Sequence, residues 1–190
     1  MIQVRKGVFE TNSSSTHSIC ISREHVEPAD FIYFCLGNFG WDNDKVSAKD
    51  YIYTAIMTMD NWEDELEKLK SILDEYGVNY EFEEPELKYY NYGHGVEGYY
   101  LKNGSIDHCC EVWPFVENVL NDEDLLMRLL FGNSFVYTGN DNCCENNPKC
   151  YAAKETICEY YQDENGELHV RDLPNPNHDE EHYEYFFKCN

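Results

Sequence analysis

Thr11-Asn12-Ser13-Ser14-Ser15-Thr16-His17-Ser18 sets eight polar residues in a row near the start of the chain. The segments on either side, residues 3–9 and 19–22, have the apolar patterning of short strands. Read as the connection between them, the stretch is a loop that gathers hydroxyls, an amide and an imidazole in one place. Such a loop either carries chemistry or braces the backbone, because Ser, Thr and Asn side chains readily bond to nearby main-chain groups. Its surroundings set it apart further. Over residues 1–25 the bases Arg5, Lys6 and Arg23 outnumber the acids Glu10 and Glu24, whereas the whole chain has a formal charge of -23.

The totals bound the rest. A chain of 190 residues is long enough to bury about 70% of its unfolded surface without disulfides or metal. Nine cysteines cannot all pair within the chain, and in a reducing compartment they remain thiols. No window approaches the roughly 18 uninterrupted apolar residues of a membrane span. The first residues lack the charged-then-apolar pattern of a secretory signal. A soluble, cytoplasmic protein with no membrane contact is expected. With 37 acids against 14 bases, direct nucleic-acid binding is not expected, since affinity for phosphate rests on counterion release at Lys and Arg. The charge suits a basic partner, or it serves solubility alone.

Along the chain, residues 31–35 read as a buried strand, and Ser47 with Asp50 as a capping box before a helix carrying Ile52, Ala55, Ile56 and Met59. A second helix is predicted over residues 61–76, with Trp62, Leu66, Leu69, Leu73 and Tyr76 on one stripe and Gly77 as its stop. Residues 78–83 alternate as a strand. Residues 89–100 read as a Tyr- and Gly-rich loop entering a strand at 98–101, which Asn103-Gly104 joins to 105–109 as a hairpin. Two short helices follow near 113–120 and 122–131, the second capped by Asn121 and ended by Gly132. Strands are expected at 134–138, 156–162, 168–171 and 183–188, with Asn165-Gly166 turning the second into the third. The expected fold is α+β, one domain of mostly antiparallel sheet with three to four helices.

Three constellations carry possible chemistry. Ser13, Ser14 or Ser15 is a candidate nucleophile with His17 as its base, although the sharp Gly-x-Ser-x-Gly elbow is absent. Asp107, His108 and Asp141 fall at predicted strand ends and could add acid–base groups. Thr11, Asn12, Ser13 and Ser15 are candidate phosphate ligands, in a loop that has no glycine for a tight wrap. The simpler alternative is that these hydroxyls satisfy the backbone of a buried bend. Cys109-Cys110, Cys143-Cys144, Cys150 and Cys158 lack Cys-x-x-Cys spacing, so no metal site is assigned. No motif indicates a cofactor.

A fourth constellation is acidic. Between residues 60 and 86 eleven acids face only Lys68 and Lys70. Glu63, Asp64, Glu67, Asp74, Glu81 and Glu83 are the candidate partner-binding residues there. Because duplex DNA presents one charge per about 1.7 Å of axis, dense carboxylates can occupy a cleft built for phosphate. An ordinary solvated helix has the same pattern.

The run Val8 to Ser18 resembles the opening of uncharacterised proteins of bacteriophages and mobile elements of Gram-positive bacteria, and Gly104-Ser105-Ile106-Asp107-His108 is similar to a second motif of that group. The resemblance carries no catalytic residue with it. It implies a phage accessory protein, a class in which small acidic proteins block host defence complexes. The expected function is an acidic inhibitory binding protein acting on a basic protein or nucleoprotein complex. The alternative is a small enzyme or nucleotide-binding protein that grips phosphate with the Ser-rich loop.

Overall fold

In the computed structural model, which describes residues 15–40, 44–91, 97–140 and 148–189, the Ser-rich stretch enters the centre of the main sheet. Strand β1 (Ser15–Ser22) is buried at every position. It pairs antiparallel with β12 (Tyr183–Cys189) on one side and with β9 (Phe135–Asn140) on the other. Beyond β9 lies the short strand β4 (Lys45–Ser47), so the sheet order is β12-β1-β9-β4. The loop expected over 11–18 is therefore, from Ser15 onward, a strand. Two flanking ladders absorb its main-chain groups, and partners on both faces absorb its side chains, which is what a polar segment needs in a sheet centre.

Alternation divides the two faces. Ile19 and Ile21, with Val136 and Phe186, point to the helical side and join the main core. Cys20 and Phe135, backed by Tyr137, Tyr183 and Tyr185, point the other way, onto Ala152. On that second side Ser18 Oγ donates to the Cys150 carbonyl at 2.7 Å and accepts the Ala153 amide at 3.1 Å, clamping residues 148–153 to the sheet.

Helix α1 (Ala48–Met57) runs through the middle, and Tyr51, Ile52, Ala55 and Ile56 have no exposed surface. Packed on it is the amphipathic helix α2 (Trp62–Glu75), which buries Leu69, Ile72 and Leu73 and turns its charges to solvent. Helix α3 (Trp113–Leu120) has Pro114 in its first turn, and α4 (Glu123–Phe131) buries Leu125, Leu126, Met127, Leu129 and Leu130. Its cap is Asp122, whose carboxylate accepts the Leu125 amide at 3.1 Å; Asn121, the expected cap, lies one residue too early. Gly132 ends α4 where a Cβ would meet the Arg128 carbonyl at 2.4 Å. The capping box expected at Ser47 does not form, because Asp50 instead accepts the Cys35 amide at 2.8 Å.

Four pairs of strands surround this body. Two are parallel, β2 (Phe31–Phe34) with β5 (Asn79–Phe82) and β3 (Asn38–Phe39) with β8 (Ser105–Ile106). Two are antiparallel, β6 (Leu87–Asn91) with β7 (Glu97–Leu101) and β10 (Thr156–Gln162) with β11 (Leu168–Pro174). The fold is thus α+β, mostly antiparallel, with four helices among the described residues. Asn103-Gly104 does not turn a hairpin. The Asn103 side chain accepts the Glu86 amide at 2.9 Å and donates to Glu83, so the chain leaves β7 for β3 and does not fold back on itself. The expected loop over 89–100 is largely the β6–β7 hairpin. Among the described residues, no helix is long and apolar enough to cross a membrane.

Removing the Ser18 hydroxyl breaks its bonds to the buried Cys150 carbonyl and the half-buried Ala153 amide. Ser18→Ala is expected to lower unfolding free energy by about 2 kcal/mol, whereas Ser71→Ala on the exposed side of α2 changes it by less than about 0.5 kcal/mol. Urea denaturation of the two variants checks the difference.

Candidate functional site

Ser15 and His17, in the polar half of β1, form an enclosed cluster on the helical side of the sheet. His17 sits opposite Lys188 in the β1–β12 register. Its Nδ1 shares a 2.7 Å hydrogen bond with the Tyr51 hydroxyl of α1, and the two rings meet edge to face at 5.5 Å. Its Nε2 is buried and, among the described residues, has no hydrogen-bond partner. The buried Lys188 ammonium donates to the Ser15 carbonyl at 3.3 Å and contacts the Ser15 hydroxyl. Thr16 reaches the Gly139 carbonyl at 3.5 Å.

Burial decides the electrostatics here. It pushes the His17 pKa down to about 3, with the Lys188 charge acting in the same direction and the Gly40 backbone and Asp107 opposing. Burial also holds the Tyr51 phenol far above its ordinary range. At neutral pH this is a neutral imidazole against a neutral phenol. A base meant to exchange protons near pH 7 needs a pKa near 7 and a path to substrate. His17 has neither, since Ser15 and His17 are wholly enclosed.

Asp107 follows β8, and its amide donates to the Phe39 carbonyl at 2.9 Å. Its carboxylate lies 3.8 Å from His108 Nε2. His108 adopts a left-handed backbone, φ 50°, and opens the 3-10 turn Cys109–Glu111. The fold thus brings Asp107 within electrostatic reach of His17 and pairs it with His108. Of the other residues singled out from sequence, Thr11, Asn12, Ser13, Ser14 and Asp141 lie outside the described residues, as do Cys143 and Cys144. Among the described residues, the only set of three potential metal-ligating side chains with their ligand atoms within 4.8 Å of one another is Asp163, Glu167 and His169, at the β10–β11 turn. Two hollows among the described residues are small. One of about 260 Å³ is lined by Ser22, Glu24, Asn133, Asp179, His182 and Tyr183. Another of about 200 Å³ lies between α3 and β12, with Lys188 in its lining. Both fall below the range of roughly 300–1,000 Å³ usual for small-molecule sites.

The acidic residues divide into two groups. Glu63, Asp64 and Glu67 project from the solvent side of α2, with Glu67 pairing Lys70 at 2.7 Å, and Asp74 meets the Tyr80 hydroxyl. Glu81 lies on the outer face of β5, directly across from Tyr33 of β2. Glu83 serves the fold: its carboxylate accepts the Leu36 amide at 2.8 Å and the Asn103 amide nitrogen at 3.0 Å, and its carbonyl accepts the Tyr53 hydroxyl at 2.7 Å. Sequence reasoning missed Phe31 and Tyr33, which it placed in a buried run. They are 54% and 40% exposed beside Glu81, while Ile32 and Phe34 face inward. The alternation of a one-sided strand was masked because aromatic residues occupy both faces.

Two outcomes follow. His17 is neutral in the folded state down to about pH 3 and has an ordinary pKa of 6.5 when unfolded. The unfolded chain therefore binds the extra proton between those values, and stability contributed by the neutral ring is complete above pH 6.5 and falls as pH drops toward 3. Between pH 6.5 and 4.5 the protein should lose on the order of 2–3 kcal/mol more than His17→Gln does, measured by urea titration at each pH. Glu83→Ala should cost about 2 kcal/mol, while Glu81→Ala leaves the urea midpoint nearly unchanged. Compared with protein-family models, curated proteins and solved structures, the chain finds no match in any of the three.

Proposed function

We propose that this protein acts by binding, docking an acidic, aromatic surface on a basic protein or nucleoprotein complex. The observation that carries this reading is the exposed pair Phe31 and Tyr33 set against Glu81 on the outer face of β2 and β5. Aromatic side chains bring large contact area at low entropic cost, and the carboxylates around them favour a cationic counterpart. Glu63, Asp64, Glu67 and Asp74 on α2 extend the negative field and would steer such a partner.

The resemblance of residues 8–18 to phage and mobile-element proteins supports the narrower proposal that the partner is a host defence complex and that binding inhibits it. Carboxylates replacing the phosphates of a nucleic acid would be the physical means. The reading as a small enzyme or nucleotide-binding protein has less support, because Ser15 and His17 are enclosed and the ring is held neutral.

The test begins with a partner recovered at low salt from a host lysate and repurified. Its affinity should fall steeply with ionic strength. The triple charge reversal Glu63→Lys, Asp64→Lys, Glu67→Lys should weaken it by roughly tenfold or more, as should Tyr33→Ala. Affinity indifferent to salt and to these variants would reject the proposal, and stabilisation by a nucleotide in a thermal-shift panel would favour the enzyme reading.

A further inference from the structure

The β10–β11 hairpin stands apart from the sheets of the body. Its strands pair with each other from Thr156↔Pro174 to Gln162↔Leu168, and among the described residues neither joins another sheet. Gly166 turns the chain at φ 81°, and the Asp163 carboxylate holds the turn by accepting the Asn165 and Glu167 amides, each at 2.9 Å.

The two faces of this ribbon are unlike. On one, Arg171 pairs with Glu159 across the strands and lies 5.2 Å over the Tyr161 ring, while His169 stacks on Tyr161 at 5.4 Å and bonds to Asp163 at 3.1 Å. That face is filled by its own members. On the other, Tyr160 stands across from Val170 and Gln162 across from Leu168. Tyr160, Leu168 and Val170 are 50%, 67% and 54% exposed. A two-stranded hairpin is marginally stable alone in water and gains stability from a third strand or a cover on its apolar face. Among the described residues, each strand also has one ladder edge that no other strand takes up.

Charge says what kind of cover fits. Glu155, Glu164, Glu167 and Asp172 lie along the ribbon and its ends. The nearby cations are already engaged: Arg171 by Glu159, and Lys154 by the Tyr151 and Phe187 rings, which lie 5.0 and 4.9 Å from its ammonium. A second copy of this chain would set these acids against their own counterparts, in a molecule already at -23.

We infer that the apolar face of the β10–β11 hairpin is a docking arm for an extended, basic protein segment in which apolar and cationic residues alternate. The segment adds as a third strand, its apolar side chains continuing the row of Tyr160, Leu168 and Val170 and its cations meeting Glu155, Glu164 and Glu167 at the ends of the ribbon. This inference rests on the reading that the partner is basic, but it concerns a surface separate from α2, β2 and β5.

The probe is a synthetic peptide of alternating Val and Lys, about eight residues long, followed by amide chemical shifts of the full chain. The shifts should cluster within residues 156–174 and shrink with added salt. A Val and Glu peptide of the same length should produce none. Leu168→Ser with Val170→Ser should weaken the Val and Lys peptide by roughly tenfold or more, with thermal unfolding unchanged because both side chains are exposed. The reversal Glu63→Lys, Asp64→Lys, Glu67→Lys should leave the hairpin shifts in place, and that result would hold the arm whatever becomes of the α2 surface. Shifts confined to α2 would overturn the arm and leave the acidic-surface reading standing. Self-association in sedimentation that Leu168→Ser with Val170→Ser abolishes would also overturn it, by showing that a second copy covers this face.

Discussion

Everything in this fold depends on how a run of polar residues is held dry at the centre of a sheet. Ser15, Thr16, His17 and Ser18 bring hydroxyls and an imidazole where a central strand ordinarily brings aliphatic groups. Leaving one such group unpaired costs roughly 1–3 kcal/mol, and the hydroxyls and the imidazole Nδ1 are matched to partners distant in the sequence. Ser15 meets Lys188, His17 meets Tyr51, and Ser18 meets Cys150 and Ala153. These bonds join the start of the described chain to its end, to the central helix and to the turn behind the sheet. A network of this kind selects one register of β1 between β9 and β12, because a one-residue slip would turn the hydroxyls toward apolar neighbours and Ile19 and Ile21 away from the core.

The same enclosure separates the inside of the molecule from its chemistry with other molecules. Groups that look reactive in isolation, a serine beside a lysine and a histidine beside a phenol, are consumed in holding β1 in place. Groups that meet solvent include aromatic, aliphatic and acidic side chains: Phe31 and Tyr33 with Glu81, the outer side of α2, and the Tyr160, Leu168 and Val170 face of the β10–β11 hairpin. The display of rings among carboxylates is what supports the proposal that the protein acts by binding. Glu83 marks the boundary between the two uses of charge, since it lies among the displayed acids and yet its oxygens are spent on Leu36 and Asn103.

Elements whose signal is local were legible. Helix α2 announced itself through the spacing of Trp62, Leu66, Leu69 and Leu73, α4 through its run of leucines, and the β10–β11 hairpin through Asn165-Gly166, because helix periodicity and a two-residue turn are properties of a few neighbouring residues. Asn103-Gly104 carries the same turn signal and makes no hairpin. Its outcome was set by Glu83 and Glu86, to which Asn103 bonds, and by the pairing of β8 with β3, a strand more than sixty residues earlier. Asp50 likewise left its expected place in a capping box for the Cys35 amide of a neighbouring strand.

By itself the sequence determined the class of the fold, the helices, the hairpin at residues 156–174 and an excess of negative charge, all of which follow from period, turn chemistry and composition. Only the tertiary structure decided that Ser15–Ser18 is a strand and not a loop. Polarity in a short segment is compatible with exposure or with burial against partners, and those partners, Tyr51, Gly139, Cys150 and Lys188, lie between 34 and 173 residues away. It decided in the same way which acids are displayed and which are spent, because a carboxylate's role depends on which backbone amides the fold brings beside it.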